Sequence, residues 1–306
     1  MSSSIPRRRS SLQSLAAMLL PVICFSAARA ASFELPPLNA PPSTEHHVGK
    51  VVWADLVTPD LGVAERFYAG LFGWTFQTVH TGTSDYAVAL ANGHPVGGLF
   101  QKPLPAGEHR QSAWLTFIAV PDVNAAKRVA LAHGAKALTG IRSYPLRGRQ
   151  TVLSDPEGAV FAILASSSGD SPDFLAGPGE WIWSSLLSRN AGAEAAFYQQ
   201  VFSYDVFDLA SDDGLEHVIL SSDDFARASV NAMPGDPARR HAHWLNFIRV
   251  DNTVDMVAKA VASGGRVLVE PHVDRHGGQV AVVADPAGAP FGLMEWTSSD
   301  SKAEPK

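Results

Sequence analysis

The sequence predicts an α+β protein of two tandem domains, each assembled from two βαβββ modules. Three observations predict it. Residues recur at a spacing of 130: Trp53 with Trp183, Phe67-Tyr68 with Phe197-Tyr198, Trp114-Leu115 with Trp244-Leu245, and Asp155-Pro156 with Asp285-Pro286. Four matches in order indicate an internal duplication, at a period that suits a whole domain and not a solenoid repeat. Inside each copy the hydrophobic pattern runs strand, helix, three strands, and then does so again. Stretches rich in Pro, Ser and Gly bracket the copies, giving residues 48–165 and 181–297 as domains and 166–180 as the linker between them.

In the first copy "KVVWADLVT" alternates as a half-buried strand, with Val52, Ala54 and Leu56 on one face and Trp53 and Asp55 on the other. "TPDLGVAERFYAGLFGW" follows, with Val63, Phe67, Leu71 and Phe72 at helical spacing and Gly73 where the helix stops. "WTFQTVH", "DYAVALANG" and "PVGGLFQ" read as strands separated by turn chemistry. The second module has strand "SAWLTFIAV" and helix "DVNAAKRVALAHGAK", with Asp122 or Asn124 as cap and Gly134 as terminator. Its remaining strands are "AKALTGIRSYP", "GRQTVLSD" and "AVFAILAS". The second copy repeats the order from "EWIWSSLLS" to "APFGLMEW". Between the last two strands of each copy stands Asp-Pro-x-Gly, read as a hairpin turn with a purely structural role. Asp accepts nearby N–H groups, Pro presets φ and Gly supplies positive φ.

The first thirty residues are read as a signal peptide. They contain a charged start ("IPRRRSSLQS"), an apolar run from Leu15 to Ala28 and Ala28-Arg29-Ala30 as a small-x-small cleavage site. The apolar run is shorter than a membrane span needs. "RRSSLQ" weakly resembles a twin-arginine signal, which leaves the export route open. The expected location is periplasmic or secreted. Cys24 is the single cysteine and leaves with the signal, which excludes disulfides, cysteine nucleophiles and cysteine-based metal sites. Cleavage also removes Arg7, Arg8, Arg9 and Arg29, taking the formal charge from −6 to −10. An acidic chain without basic runs excludes nucleic acid as a partner. Residues 31–47 read as a Pro-rich, extended and mobile tether, and residues 298–306 as a disordered tail.

The succession "VTPDLGVAERFYAGLFGW", "GGLF", "WLTFIAVPDVNAAKRVALAHGA" and "SDPEGAVFAIL" resembles the vicinal oxygen chelate superfamily, over about Val48 to Thr297. That group contains glyoxalase I, extradiol dioxygenases and the fosfomycin and bleomycin resistance proteins. The resemblance implies two tandem glyoxalase-like domains, in each of which the two modules form an eight-stranded cup holding the active site. It also implies four metal-ligand positions per cup. Carried over residue by residue, they fall on Trp53, Gly97 or Gly98, Leu115 and Ala162 in the first copy. In the second they fall on Trp183, Ser229 or Val230, Leu245 and Gly292. These lack the usual His and carboxylate donors, so no metal and no cofactor is expected. A re-sited metal would need some of His217, His241, His243, His272, His276, Asp274 and Glu295.

Strand alternation places Trp53, Asp55, Leu115, Phe117, Val160, Ala162 and Leu164 in the first cup. It places Trp183, Ser185, Leu245, Phe247, Arg249, Gly292 and Met294 in the second. Of these, Trp53, Asp55, Phe117, Trp183, Ser185, Phe247 and Arg249 are the candidate ligand-binding residues, and no catalytic residue is assigned. Three function classes stand: a metal-free protein that binds a small, partly aromatic or apolar molecule, a lyase or dioxygenase with re-sited metal ligands, and an interaction module with filled cups. The expected partner is a small molecule, with no membrane contact after cleavage. The expected state is a monomer whose two domains form an intramolecular pseudo-dimer.

Overall fold

The computed structural model describes residues 34–80, 85–103, 112–210, 214–233, 241–274 and 277–296. The segments read as a signal peptide (1–30) and a tail (298–306) lie outside the described residues. In the first domain the order is β1 (Val51–Thr58), α1 (Leu61–Phe72), β2 (Thr75–His80), β3 (Asp85–Ala91) and β4 (His94–Gln101). Then come β5 (Ala113–Ala119), α2 (Val123–Ala132), β6 (Lys136–Ala137), β7 (Arg142–Tyr144), β8 (Gly148–Ser154) and β9 (Val160–Ser166). The second domain contains β10 (Trp181–Ser188), α3 (Ala191–Phe202), β11 (Asp205–Leu209), β12 (His217–Ser222) and β13 (Phe225–Ala232). It continues with β14 (His243–Val250), α4 (Thr253–Ala262), β15 (Arg266–Val273), β16 (Gln279–Ala284) and β17 (Pro290–Glu295).

Each domain is one cupped sheet. The strand orders are β2-β3-β4-β1-β5-β9-β8-β6, with β7 also on β8, and β11-β12-β13-β10-β14-β17-β16-β15. The first strands of the two modules meet antiparallel at the centre, with Trp53 opposite Phe117 in one sheet and Trp183 opposite Phe247 in the other. The expected single strand at residues 135–145 is split into β6 and β7, which gives the first sheet nine strands. Thr139 causes the break. Its hydroxyl accepts Val152 N–H at 3.0 Å and its carbonyl accepts the Thr151 hydroxyl at 2.9 Å, replacing ladder bonds between the two pieces.

The helices begin and end as their sequences require. Asp60, Asp122, Asn190 and Asn252 are the N-caps, each accepting backbone N–H groups of the first turn. Gly73 closes α1 at φ 71°, and Ser203, its counterpart, adopts φ 58°. One expectation fails locally. Val52 packs on the cup side with Trp53, because a bulge between Val51 and Trp53 breaks the alternation.

The two domains share their cores crosswise. Ala54, Leu56, Phe67 and Tyr68 from the first half of domain one pack with Ile248, Val257, Phe291 and Leu293 from the second half of domain two. Ile118, Val123, Phe161 and Ile163 pack with Leu186, Phe197, Tyr198 and Val230 in the mirror arrangement. The duplication makes this interface self-complementary, as in a symmetric dimer. On the quasi-axis Asn246 exchanges hydrogen bonds with Thr116, 130 positions away (3.0 and 3.2 Å).

The hairpin aspartates do more than turn the chain. Asp155 accepts Ala159 N–H at 2.7 Å through its side chain, and Gly158 sits at φ 99°, as the turn demands. The other carboxylate oxygen accepts Tyr198 O–H from the opposite domain at 3.1 Å, and Tyr198 accepts Trp244 Nε1–H at 2.9 Å. Trp114, Tyr68 and Asp285 repeat the relay at 2.9 and 3.4 Å. Buried Glu194 on α3 breaks the symmetry by lying against Asp155. Burial and the neighbouring Asp155 charge push the Glu194 carboxyl up to about 9, so the pair holds a proton when folded.

Residues 34–47 are not a mobile tether. Leu35 and Leu38, each 3% exposed, sit in the first cup against Trp53, Tyr86, Phe117 and Leu164. Pro36 C=O accepts Arg147 Nε–H at 2.6 Å, and the Leu38 and Asn39 amides donate to Ser168 Oγ at 3.0 and 3.2 Å. Prolines leave few N–H groups to satisfy; Ser168 Oγ accepts those of Leu38 and Asn39, and Arg147 satisfies the Pro36 carbonyl. The linker is pinned as well: Asp173 pairs with Lys50 at 2.8 Å and with Arg227 at 2.6 Å, joining the two domains.

Two predictions follow from these contacts. Glu194 is raised in the folded state, so its contribution to stability is complete below the unfolded carboxylate pKa and is lost as pH rises through the folded value. Denaturation midpoints of the wild type should therefore fall as pH climbs from about 5 towards 9. Glu194→Gln should remove most of that slope, and an unchanged slope would show that the pair does not hold a proton. Separately, Leu35→Ala with Leu38→Ala should lower unfolding free energy by at least about 2 kcal/mol, the low end for one buried leucine. It should also speed hydrogen exchange at the Leu38 and Asn39 amides. Unchanged exchange would mean that the strap is held by something else.

Candidate binding cup

The two cups are built from corresponding strands and differ in what fills them. In the first, the central strand β1 presents Trp53 and Asp55 to the concave face. Asp55 accepts Trp53 Nε1–H at 2.7 Å and Tyr86 O–H at 2.8 Å. Arg147 donates to Tyr86 at 3.4 Å and lies 4.3 Å above the Trp53 ring centroid. Burial raises the Asp55 carboxyl, while the Arg147 charge and the two hydrogen bonds act against it. Arg147 is 0% exposed, and Leu35 and Leu38 pack into the same cup. Gly98 makes room for this cluster, since a Cβ there would overlap Tyr86 and Asp55. The candidate residues Trp53, Asp55 and Phe117 are thus brought together, in a cup already filled by the chain itself.

Among the described residues, the apolar cluster of the second cup draws on no segment outside its own domain. Its floor is the apolar cluster Leu245, Phe247, Val280 and Met294, with Ile182, Trp183, Leu187, Val282 and Trp296 half-buried around it. Exposure rises towards the sheet edges. Phe207 on β11 is 54% exposed, and Val269 on β15, paired with Val282 of the cup face, is 42% exposed. Set into this surface is a polar ladder. Trp183 Nε1–H donates to Ser229 Oγ at 3.1 Å, and Asn231 Nδ2–H donates to the same atom at 2.9 Å. Ser229 and Ser185 hydroxyls lie 2.8 Å apart, and His217 Nδ1 is 2.9 Å from Asn231 Oδ1. Arg249 stands at the end of β14, opposite Met294, and donates to Ala176 C=O of the linker at 2.7 Å. Trp183, Ser185, Phe247 and Arg249 therefore share one concave face, as strand alternation predicts.

The ladder extends further than the candidate residues. Asn231 and His217 join it through the register of β13 with β12, where they lie opposite each other. Their alternation is readable in "LEHVILS" and "ARASVNA" once the strands are paired, but the pairing is tertiary. Tyr86 and Arg147 in the first cup carry no comparable signal. Arg147 comes from a turn, and its neighbour Arg149 is exposed.

The residues present do not fit a divalent metal at the positions the resemblance implies. Ala162 is fully buried under Phe117 and Leu164. At Gly292 the space a ligand side chain would enter is filled by the Phe247 ring. The alternative donors are dispersed or engaged. Glu295 accepts Thr253 N–H at 2.7 Å, Asp274 accepts Gly278 N–H at 3.1 Å, and His217 belongs to the ladder. His272 is an exposed residue of β15, and His276 lies outside the described residues. Among the described residues no three His, Cys, Asp or Glu side chains could hold one ion.

Comparison with known proteins places this architecture. Residues 46–163 match the family model "Glyoxalase/Bleomycin resistance protein/Dioxygenase superfamily", and residues 185–294 match "Glyoxalase-like domain". "Putative glyoxylase CFP32" of Mycobacterium tuberculosis is 30% identical over 262 residues, which cover 83% of this chain and 98% of that protein. "Anthracycline biosynthesis protein DnrV" of Streptomyces peucetius is 30% identical over 263 residues, covering 81% and 93%. The fold also matches the Mn(II)-bound glyoxalase from Novosphingobium aromaticivorans, with TM-score 0.56, 17% identity and 81% and 82% coverage. A variant of homoprotocatechuate 2,3-dioxygenase from Brevibacterium fuscum superposes with TM-score 0.57 at 14% identity, covering 85% of this chain and 74% of that one. With both domains matched and the relatives covered along nearly their whole length, the chain belongs to the glyoxalase/bleomycin resistance protein/dioxygenase superfamily.

Proposed function

We propose that this is an exported, metal-free binding protein whose second cup takes up a small, partly aromatic or apolar molecule. The carrying observation is the contrast between the cups: the first is filled by Leu35, Leu38 and Arg147, and the second presents a half-exposed apolar face around one polar ladder. Concave apolar surfaces with a few placed polar groups are the usual form of small-molecule sites. Trp183 supplies a ring face for stacking, held in place by its bond to Ser229. Two relatives carry anthracycline biosynthesis in their names, and an anthracycline is a fused aromatic system of the sort an indole stacks on. No metal takes part, because the positions that would ligate it hold indole, alkyl, hydrogen and, at Ser229, a hydroxyl already bonded to Trp183, Ser185 and Asn231. The protein acts as a monomer, its two domains taking the place of two subunits. Export rests on the charged, apolar and Ala-x-Ala order of residues 1–30, and among the described residues no helix is long and apolar enough to cross a membrane.

Three measurements test this. The mature protein should begin at Ala31, and a chain starting at Met1 in the membrane fraction would refute export. Native mass spectrometry with elemental analysis should find no stoichiometric divalent metal; one metal per domain, lost together with an activity, would restore the enzyme reading. Trp183→Ala should weaken binding of an aromatic ligand several-fold or more, as expected from about 0.5–1.5 kcal/mol of stacking plus lost contact area. Trp53→Ala should leave binding largely unchanged, and the reverse pattern would move the site to the first cup.

A further inference from the structure

We infer that the second cup selects aromatic molecules bearing hydrogen-bond acceptor oxygens, ketones and quinones, and that Ser185 and Trp296 make the selection. This rests on the reading of that cup as the binding site and names the chemistry it prefers.

The argument is an accounting of protons. A serine hydroxyl has one proton to give and two lone pairs to receive. Ser229 Oγ receives from Trp183 Nε1 and from Asn231 Nδ2, which uses both lone pairs. Its own proton must then go to Ser185 Oγ, 2.8 Å away. The Asn231 carbonyl faces His217 Nδ1 and is already engaged. The ladder therefore turns its acceptors inward, and the O–H left over belongs to Ser185, on the central strand opposite Leu245 of the apolar floor.

A second donor points the same way. Trp296 packs on the Leu245, Phe247, Val280 and Met294 cluster, and its Nε1–H is buried without a hydrogen-bond partner among the described residues. An indole nitrogen is a donor only, and a buried donor left unmet costs free energy that a ligand acceptor would recover. Arg249 adds more N–H groups at the end of β14, one of them on Ala176 C=O, and a guanidinium offers no acceptor. Glu295, the acid next to Trp296, is turned to the start of α4. A carbonyl oxygen placed on this floor would meet several donors, whereas for a ligand donor the ladder leaves a single lone pair, on Ser185.

Acetophenone and α-methylstyrene test this, since they are planar isosteres in which C=O is exchanged for C=CH₂. Equilibrium dialysis of the intact mature protein should show a preference for the ketone of about three- to tenfold per donor engaged. Ser185→Ala and Trp296→Phe should each reduce that preference, read as the ratio of the two affinities measured on the same variant. Ser185→Thr, which keeps the hydroxyl, should retain the preference and decides the matter if Trp296→Phe does not fold. Equal affinity of the wild type for both probes, or an undiminished preference in Ser185→Ala, overturns the inference while the cup remains a binding site. Failure of both probes to bind the wild type overturns the binding reading itself.

Discussion

The structure depends on a shared core. Each cupped sheet has an apolar face that its own two helices do not cover, and the duplication supplies a second copy of that face to cover it. The first half of one domain packs on the second half of the other. Burial of this kind is non-directional, so it cannot by itself set the register of one domain on the other. The Trp–Tyr–Asp relays do so, because each needs a tyrosine from one domain within hydrogen-bond reach of a hairpin aspartate from the other. The repeated geometry of the turn and the docking of the domains are thereby one feature, built on the same carboxylate.

Duplication with a quasi-axis would make two equal cups, and the differences between them come from single residues. Asp55 in the first cup corresponds to Ser185 in the second. A buried carboxylate needs a cation and donors nearby, and Arg147, Tyr86 and Trp53 provide them. A serine at the same place needs only another hydroxyl. The first cup accordingly carries a compensated charge cluster capped by the chain's own leucines. The second has a ladder of hydroxyl and amide groups and an apolar floor that stays partly exposed.

The same residues decide what a metal would meet in these cups. A metal site needs several convergent donors with nothing apolar between them. Here Phe117 and Phe247 occupy the central concave positions, and Gly292 yields its space to Phe247. Reintroducing one ligand would not restore the site without also removing these rings.

The sequence by itself determined the duplication, the order of strands and helices, a cap at Asp122 or Asn124, and the lack of His and carboxylate donors at the ligand positions. These are local or periodic properties: a helix cap needs only three neighbours, and a motif position is occupied or not. It also placed Trp183, Ser185, Phe247 and Arg249 on one face, because side chains alternate along any strand. Val52 escaped that rule because a bulge changes the alternation without leaving a mark in composition. Only the tertiary structure decided which half-domains share a core, that residues 34–47 close the first cup, and that Arg147, Asn231 and Trp296 complete the sites. Each of those outcomes joins residues far apart in the chain, such as Leu38 with Ser168 or Tyr68 with Asp285. The energy that favours them exists only once the intervening chain has folded.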